Sequence, residues 1–140
     1  MNQELIHVYF MPGMAANPSI FEHIKLPKEK FEIHWLKWKI PNENETIENY
    51  AKRMCEDIQY DNPVLLGVSF GGILVQEMAK HITVKRLIIV SSVKNKYELP
   101  NRIKLAKTCN AYKLVPTRLM SNVNLLAKFA FGKTVTKRIE

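Results

Sequence analysis

Apolar and polar residues alternate along the first two thirds of the chain in two rhythms, one of strands and one of helices. Ile6-His7-Val8-Tyr9-Phe10 is a short β-rich run ended by Pro12-Gly13, which predicts a buried strand leading into a glycine loop. Residues 14–24 predict a loop and then a short helix starting near Pro18-Ser19, closed by Pro27. Phe31-Glu32-Ile33-His34 alternates apolar with polar, so residues 31–38 read as a half-exposed strand near a sheet edge, ended by Pro41. Asn42 and Glu45 have capping-box spacing, with Asn in place of Ser or Thr. Ile47, Tyr50, Ala51, Met54 and Ile58 follow at helical spacing and predict an amphipathic helix over 43–60. Asp61-Asn62-Pro63 is a turn.

Val64 to Val68 then reads as a third strand and 71–81 as a helix that is apolar nearly all round at its start. Residues 86–92 read as a fourth strand. Its run Leu87-Ile88-Ile89-Val90 predicts burial on both faces, as in a parallel sheet covered by helices. From Val93 the character changes. Pro100 opens a helical stretch with Ile103, Leu105 and Ala106 on its apolar side. Pro116 opens another with Leu119, Met120, Val123, Leu126, Ala127 and Phe131, broken by Gly132. The alternation predicts an α/β fold, a parallel sheet with right-handed crossovers and helices on both faces. Its site belongs at the carboxyl ends of the strands, where the loops 11–17 and 67–72 leave.

Candidate chemistry sits in the second of those loops. Gly67-Val68-Ser69-Phe70-Gly71 is a G-x-S-x-G segment between an apolar strand and an amphipathic helix. Such a turn pushes a serine hydroxyl out at a helix N-terminus, and Gly67 and Gly71 permit the close strand–helix approach. The helix supplies unpaired backbone N–H groups and the positive end of its dipole to a developing anion. An ordinary turn or N-cap serine is the alternative reading of Ser69.

Composition changes this picture in a few respects. The 140 residues suit one domain, and a hydrophobic fraction of 46% supports a core. No run of about 18 apolar residues suggests a membrane span, and the N-terminus lacks the features of a secretory signal. Cys55 and Cys109 lack CxxC spacing and read as free thiols, so a cytoplasmic location is expected. The net charge of +8 is uneven: residues 1–79 hold 7 Lys/Arg against 11 Asp/Glu, and residues 80–140 hold 14 against 2. The cations are scattered singly without interleaved aromatics, so a solvated face is favoured over nucleic-acid binding. No His/Cys/Asp cluster has metal-ligand spacing in sequence, so neither a metal nor another cofactor is expected.

On Val8-Tyr9-Phe10-Met11-Pro12-Gly13-Met14, Leu65-Leu66-Gly67-Val68-Ser69-Phe70-Gly71-Gly72 and Leu87-Ile88-Ile89-Val90-Ser91-Ser92, the chain resembles the α/β-hydrolase superfamily. It looks like the N-terminal part of a small bacterial member. The family often has His-Gly where this chain has Met-Pro-Gly. The resemblance implies a partial α/β-hydrolase fold with a core over 1–98 and helical, lid-like residues 99–140, placed by position rather than by motif. It implies Ser69 as nucleophile, the backbone N–H groups of Phe70 and Met14 as oxyanion donors, and strands ordered second, first, third, fourth. It also implies an acid and then a histidine after the lid, and no histidine exists beyond His81.

His7, His23, His34 and His81 read as structural or surface residues, and Glu98 as a solvated charge or a displaced acid. The expectation is therefore a truncated serine hydrolase acting on an ester or related acyl bond of a small molecule. The final strand would be left as an exposed edge, through which chains could associate. Met14, Phe21, Phe70, Leu119, Met120 and Phe131 suggest an apolar acyl pocket. A non-catalytic α/β binding module and an acyltransferase are the alternatives.

Overall fold

The structure is a computed structural model, and residues 4–14, 16–95, 97 and 98 are described. The compact unit formed by Met1–Val93 contains a four-stranded sheet, all parallel, in the order β2-β1-β3-β4. The strands are β1 (Ile6–Met11), β2 (Phe31–Trp35), β3 (Val64–Val68) and β4 (Arg86–Val90). Two α-helices connect them, α1 (Ile47–Cys55) between β2 and β3 and α2 (Phe70–Met78) between β3 and β4. A single 3-10 turn, Pro18–Phe21, follows β1. This is an α/β fold, and its strand order is the one that the resemblance implies.

Alternation along β1 divides the core into two layers. Tyr9 and Met11 pack with Leu65 of β3 against Tyr50, Ala51 and Met54 of α1 and Leu74, Val75 and Met78 of α2. Val8, Phe10 and Val64 pack on the opposite face with Phe21 from the 3-10 turn. Both described α-helices thus cover one face, and the 3-10 turn covers the other. Asn17 begins that turn by accepting the Ser19 N–H at 2.8 Å, and Pro18 supplies a preset φ at its first position.

The start of α1 differs from the expectation. Asn42 and Glu45 do bond reciprocally, with the Asn42 N–H donating to Glu45 Oε2 at 2.9 Å and the Glu45 N–H to the Asn42 carbonyl at 3.1 Å. They close a turn rather than a helix, because Asn44 takes a left-handed conformation with φ 55°. The helix begins after Thr46, whose hydroxyl accepts the Asn49 N–H at 3.2 Å. Strand β2 is also shorter than expected. It ends at Trp35, and the chain leaves the sheet before Trp38.

Strand β4 occupies a sheet edge. Leu87, Ile88 and Val90 are 40%, 40% and 43% exposed, and Ile89 packs into the α1/α2 layer. The pattern that predicts cover on both faces is therefore met on one face among the described residues. No helix among those residues is long and apolar enough to cross a membrane. The expected helices within 99–140, with Leu119, Met120, Phe131 and Cys109, lie outside the described residues. Glu98 is described, and its carboxylate accepts the Lys94 N–H at 2.7 Å within its own turn.

Candidate functional site

Ser69 stands between β3 and α2, at the carboxyl end of the sheet. Its backbone has φ 54° and ψ −121°, a region that non-glycine residues rarely occupy. Two bonds hold it there. The Ser69 N–H donates to the Val90 carbonyl at 2.9 Å, and the Ser69 carbonyl accepts the Gly72 N–H at 2.9 Å. The hydroxyl makes no capping bond to the helix, although the residue occupies the N-cap position. The backbone constraint thus leaves Oγ uncommitted to the turn.

Close approach of three backbone segments makes the turn. A Cβ added at Gly71 would lie 2.6 Å from the Met11 carbonyl oxygen and closer still to that of Pro12. A Cβ at Gly67 would strike the Gly71 backbone. The first turn of α2 therefore rests directly on the end of β1. Gly13 comes alongside Ser69, with the position of an added Cβ 3.6 Å from the Ser69 Cβ. The carbonyl of Gly13 accepts the Ala16 N–H at 3.1 Å and Trp38 Nε1–H at 2.8 Å.

Phe70 is the first residue of α2, so its N–H has no acceptor within the helix. Met14 is half-buried in the turn after Gly13, and among the described residues its N–H makes no backbone bond. Trp38 is a component that sequence reasoning missed. Its ring stacks on Phe70 with centroids 5.7 Å apart while its N–H holds Gly13, so one side chain braces both loops. Tyr50 fixes the neighbouring backbone: its hydroxyl donates to the Lys39 carbonyl at 2.8 Å and accepts the Lys39 N–H at 2.9 Å. Burial raises the Tyr50 phenol above its ordinary range, which keeps it protonated and able to donate.

None of the four histidines stands at Ser69. His23 is on the surface, its side chain 93% exposed and 3.4 Å from Glu22. His7 precedes Val8, which pairs with Val64, and Ser69 is five residues past Val64. At strand rise that separation is about 20 Å. His34 is in register with Tyr9, whose β3 partner Leu65 is four residues before Ser69, so it stands about 13 Å back along the sheet and two strands to the side. His81 lies three residues beyond the end of α2, about 18 Å along from Ser69 at helical rise. Its Nε2 is buried, with no hydrogen-bond partner among the described residues.

At the opposite end of the sheet, the parallel register assembles a second constellation that no local spacing announces. His7 Nδ1 lies 3.0 Å from His34 Nε2 and 3.5 Å from a Glu32 carboxylate oxygen. Tyr60 stacks on His7 with centroids 3.4 Å apart, and Tyr9 stacks on His34 at 4.5 Å. The Tyr9 hydroxyl in turn accepts the Gln59 N–H at 3.0 Å. Burial lowers the His34 pKa below the usual imidazole range, against the opposing pull of Glu32. Two surface grooves flank this end, one lined by Tyr9, His34 and Asp57 and the other by Tyr60 and Thr83, and neither includes Ser69.

No protein-family model matches this chain, and no curated protein matches it significantly.

Proposed function

We propose that this chain presents the nucleophile of a serine hydrolase of the α/β-hydrolase type, with Ser69 attacking an ester or related acyl carbon. The observation that carries this reading is the backbone of Ser69. A serine held at φ 54° between a buried strand and a helix, with its hydroxyl unused as a cap, bears a strain that ordinary turns avoid. The strand order and the Gly13 loop beside Ser69 support it.

In this reading Ser69 Oγ bonds to the acyl carbon, its proton passes to a base, and the carbonyl oxygen becomes an oxyanion. The N–H groups of Phe70 and Met14 receive that charge, each donor contributing about 3–4 kcal/mol. The alcohol leaves with a proton, and water then cleaves the acyl-enzyme. Serine is a weak nucleophile at its own pKa, so a base is required. His7, His34 and His81 stand away from Ser69 and His23 is exposed to solvent, so none of the four is placed as that base.

A fluorophosphonate probe tests this, applied to the 140-residue protein and to Ser69→Ala with and without added imidazole. The Ser69 oxygen displaces fluoride from phosphorus, and imidazole accepts the proton. Labelling that requires Ser69 and accelerates with imidazole is the expected result. Absence of Ser69-dependent labelling in both conditions overturns the proposal. A second reading, a binding module that retains the turn without turnover, is favoured because no histidine is bonded to Ser69 among the described residues. It predicts saturable, non-covalent binding of an uncharged acyl ester that Ser69→Ala leaves intact.

A further inference from the structure

We propose that His7, Glu32 and His34 form a binding site for a divalent transition-metal ion that ties the edge strand β2 to β1. The site is separate from Ser69 and does not rest on the hydrolase reading. Two imidazoles and one carboxylate are a donor set suited to Zn²⁺, Ni²⁺, Co²⁺ or Cu²⁺ rather than to Ca²⁺ or Mg²⁺.

Register creates the site. His7 and Glu32 are cross-strand partners, as are Tyr9 and His34, and residues two apart on a strand project to the same face. One donor atom from each of the three residues falls within 4.8 Å of the others. Two ligand nitrogens on one tetrahedral zinc ion are about 3.3 Å apart, given Zn–N bonds of about 2.0–2.1 Å. The observed 3.0 Å between the imidazole nitrogens and 3.5 Å from His7 Nδ1 to the carboxylate bracket that spacing, and the His34–Glu32 pair lies within 4.8 Å. Ion entry therefore requires the Glu32 carboxylate to draw in and the two rings to turn their nitrogens from each other toward a common point, with the strands left in register.

The two rings are also held in place. Tyr60 lies parallel to His7 within 5°, and Tyr9 lies within 18° of parallel to His34. These stacks set the ring planes as supporting groups do at established metal sites. The groove bordered by Tyr9, His34, Asp57 and Gln59 gives an approach from solvent. Three protein ligands leave at least one position for water. Because β2 pairs with β1 alone among the described residues, an ion shared by Glu32 and His34 of β2 and His7 of β1 reinforces the attachment of this edge.

Calorimetric titration of chelator-treated protein with Zn²⁺, and Co²⁺ absorption spectroscopy on the same protein, test the proposal. One saturable site per chain is expected, with a rise in Tm on zinc addition and a Co²⁺ spectrum that lacks a thiolate charge-transfer band. His7→Gln and His34→Gln should each weaken binding by about 100-fold or more, Glu32→Gln should weaken it as well, and His23→Gln should change nothing. Glu32 is partly exposed, so its variant tests the site even where a histidine variant fails to fold. Absence of saturable binding to the wild-type protein would show that His7 and His34 share only a hydrogen bond and would overturn the proposal. A thiolate band, or binding unchanged by Glu32→Gln, would place the ion elsewhere and also overturn it.

Discussion

Trp38 Nε1 donates a 2.8 Å hydrogen bond to the carbonyl of Gly13, across 25 residues of sequence, while the same ring stacks on Phe70. One side chain thereby spans the two loops that flank Ser69. Trp38→Phe retains a ring for Phe70 and deletes the bond, leaving Gly13 with the Ala16 N–H as donor. A loss of about 1 kcal/mol in urea unfolding is expected. If the brace positions the oxyanion donors, Trp38→Phe also slows Ser69 labelling. Equal labelling rates at matched folded fraction would confine Trp38 to a structural role.

Gly71 meets carbonyl oxygens of Met11 and Pro12, which belong to backbone and cannot swing aside. Gly71→Ala should therefore cost several kcal/mol, at the severe end for single substitutions, despite the better helix propensity of alanine. Circular dichroism during urea titration measures this. A variant as stable as wild type would mean that α2 can withdraw from the end of β1.

How far the fold was legible depends on whether the decisive interaction was local. Val64 to Val68 forms the strand its apolar run predicts, bounded by Pro63 and the turn at Ser69. Helix α1 starts later than its pattern predicts because a capping-box spacing at Asn42 and Glu45 also suits a turn, and Asn44 selects the turn. The alternation from Phe31 predicts a strand through Trp38, whereas the chain departs toward Gly13 after Trp35. The cluster of His7, Glu32 and His34 was invisible for a different reason. His7 stands 25 positions before Glu32 and 27 before His34, and only the register of β1 on β2 brings it to that pair. The turn at Ser69 is legible because contiguous residues specify it, whereas the base that the proposed reaction needs would depend on tertiary placement.

Strain at Ser69 makes a prediction independent of catalysis. A residue with a Cβ at φ 54° and ψ −121° carries a cost on the order of 1–3 kcal/mol that glycine avoids. Ser69→Ala keeps the Cβ and the strain, and Ser69→Gly releases it at some expense in unfolded-chain entropy. Ser69→Gly should be more stable than Ser69→Ala by about 1 kcal/mol, and neither should be labelled by the fluorophosphonate. If the two variants unfold at the same urea concentration, the conformation is not strained and the backbone argument for Ser69 fails.

The acid sensitivity of the fold should trace in part to Glu45. Arg53 grips its carboxylate with two bonds, Nε at 2.9 Å and Nη2 at 2.7 Å, while Nη2 also reaches the Ile40 carbonyl at 3.0 Å. The pair ties the loop after β2 to α1. The Arg53 bond, aided by the Asn42 N–H, holds the Glu45 carboxyl below its usual value of 4.5. A carboxyl that binds its proton less readily when folded stabilises the native state above its unfolded pKa. That contribution is lost as pH falls through the lowered folded value. Wild type should therefore exceed Glu45→Gln in urea midpoint by its full margin at neutral pH. The two should converge as pH drops through about 4 and below. Added salt should shrink the neutral-pH margin, because the pair is in part solvent-screened. A margin that persists unchanged at low pH would show that packing of the Glu45 side chain, rather than its charge, joins the loop to the helix.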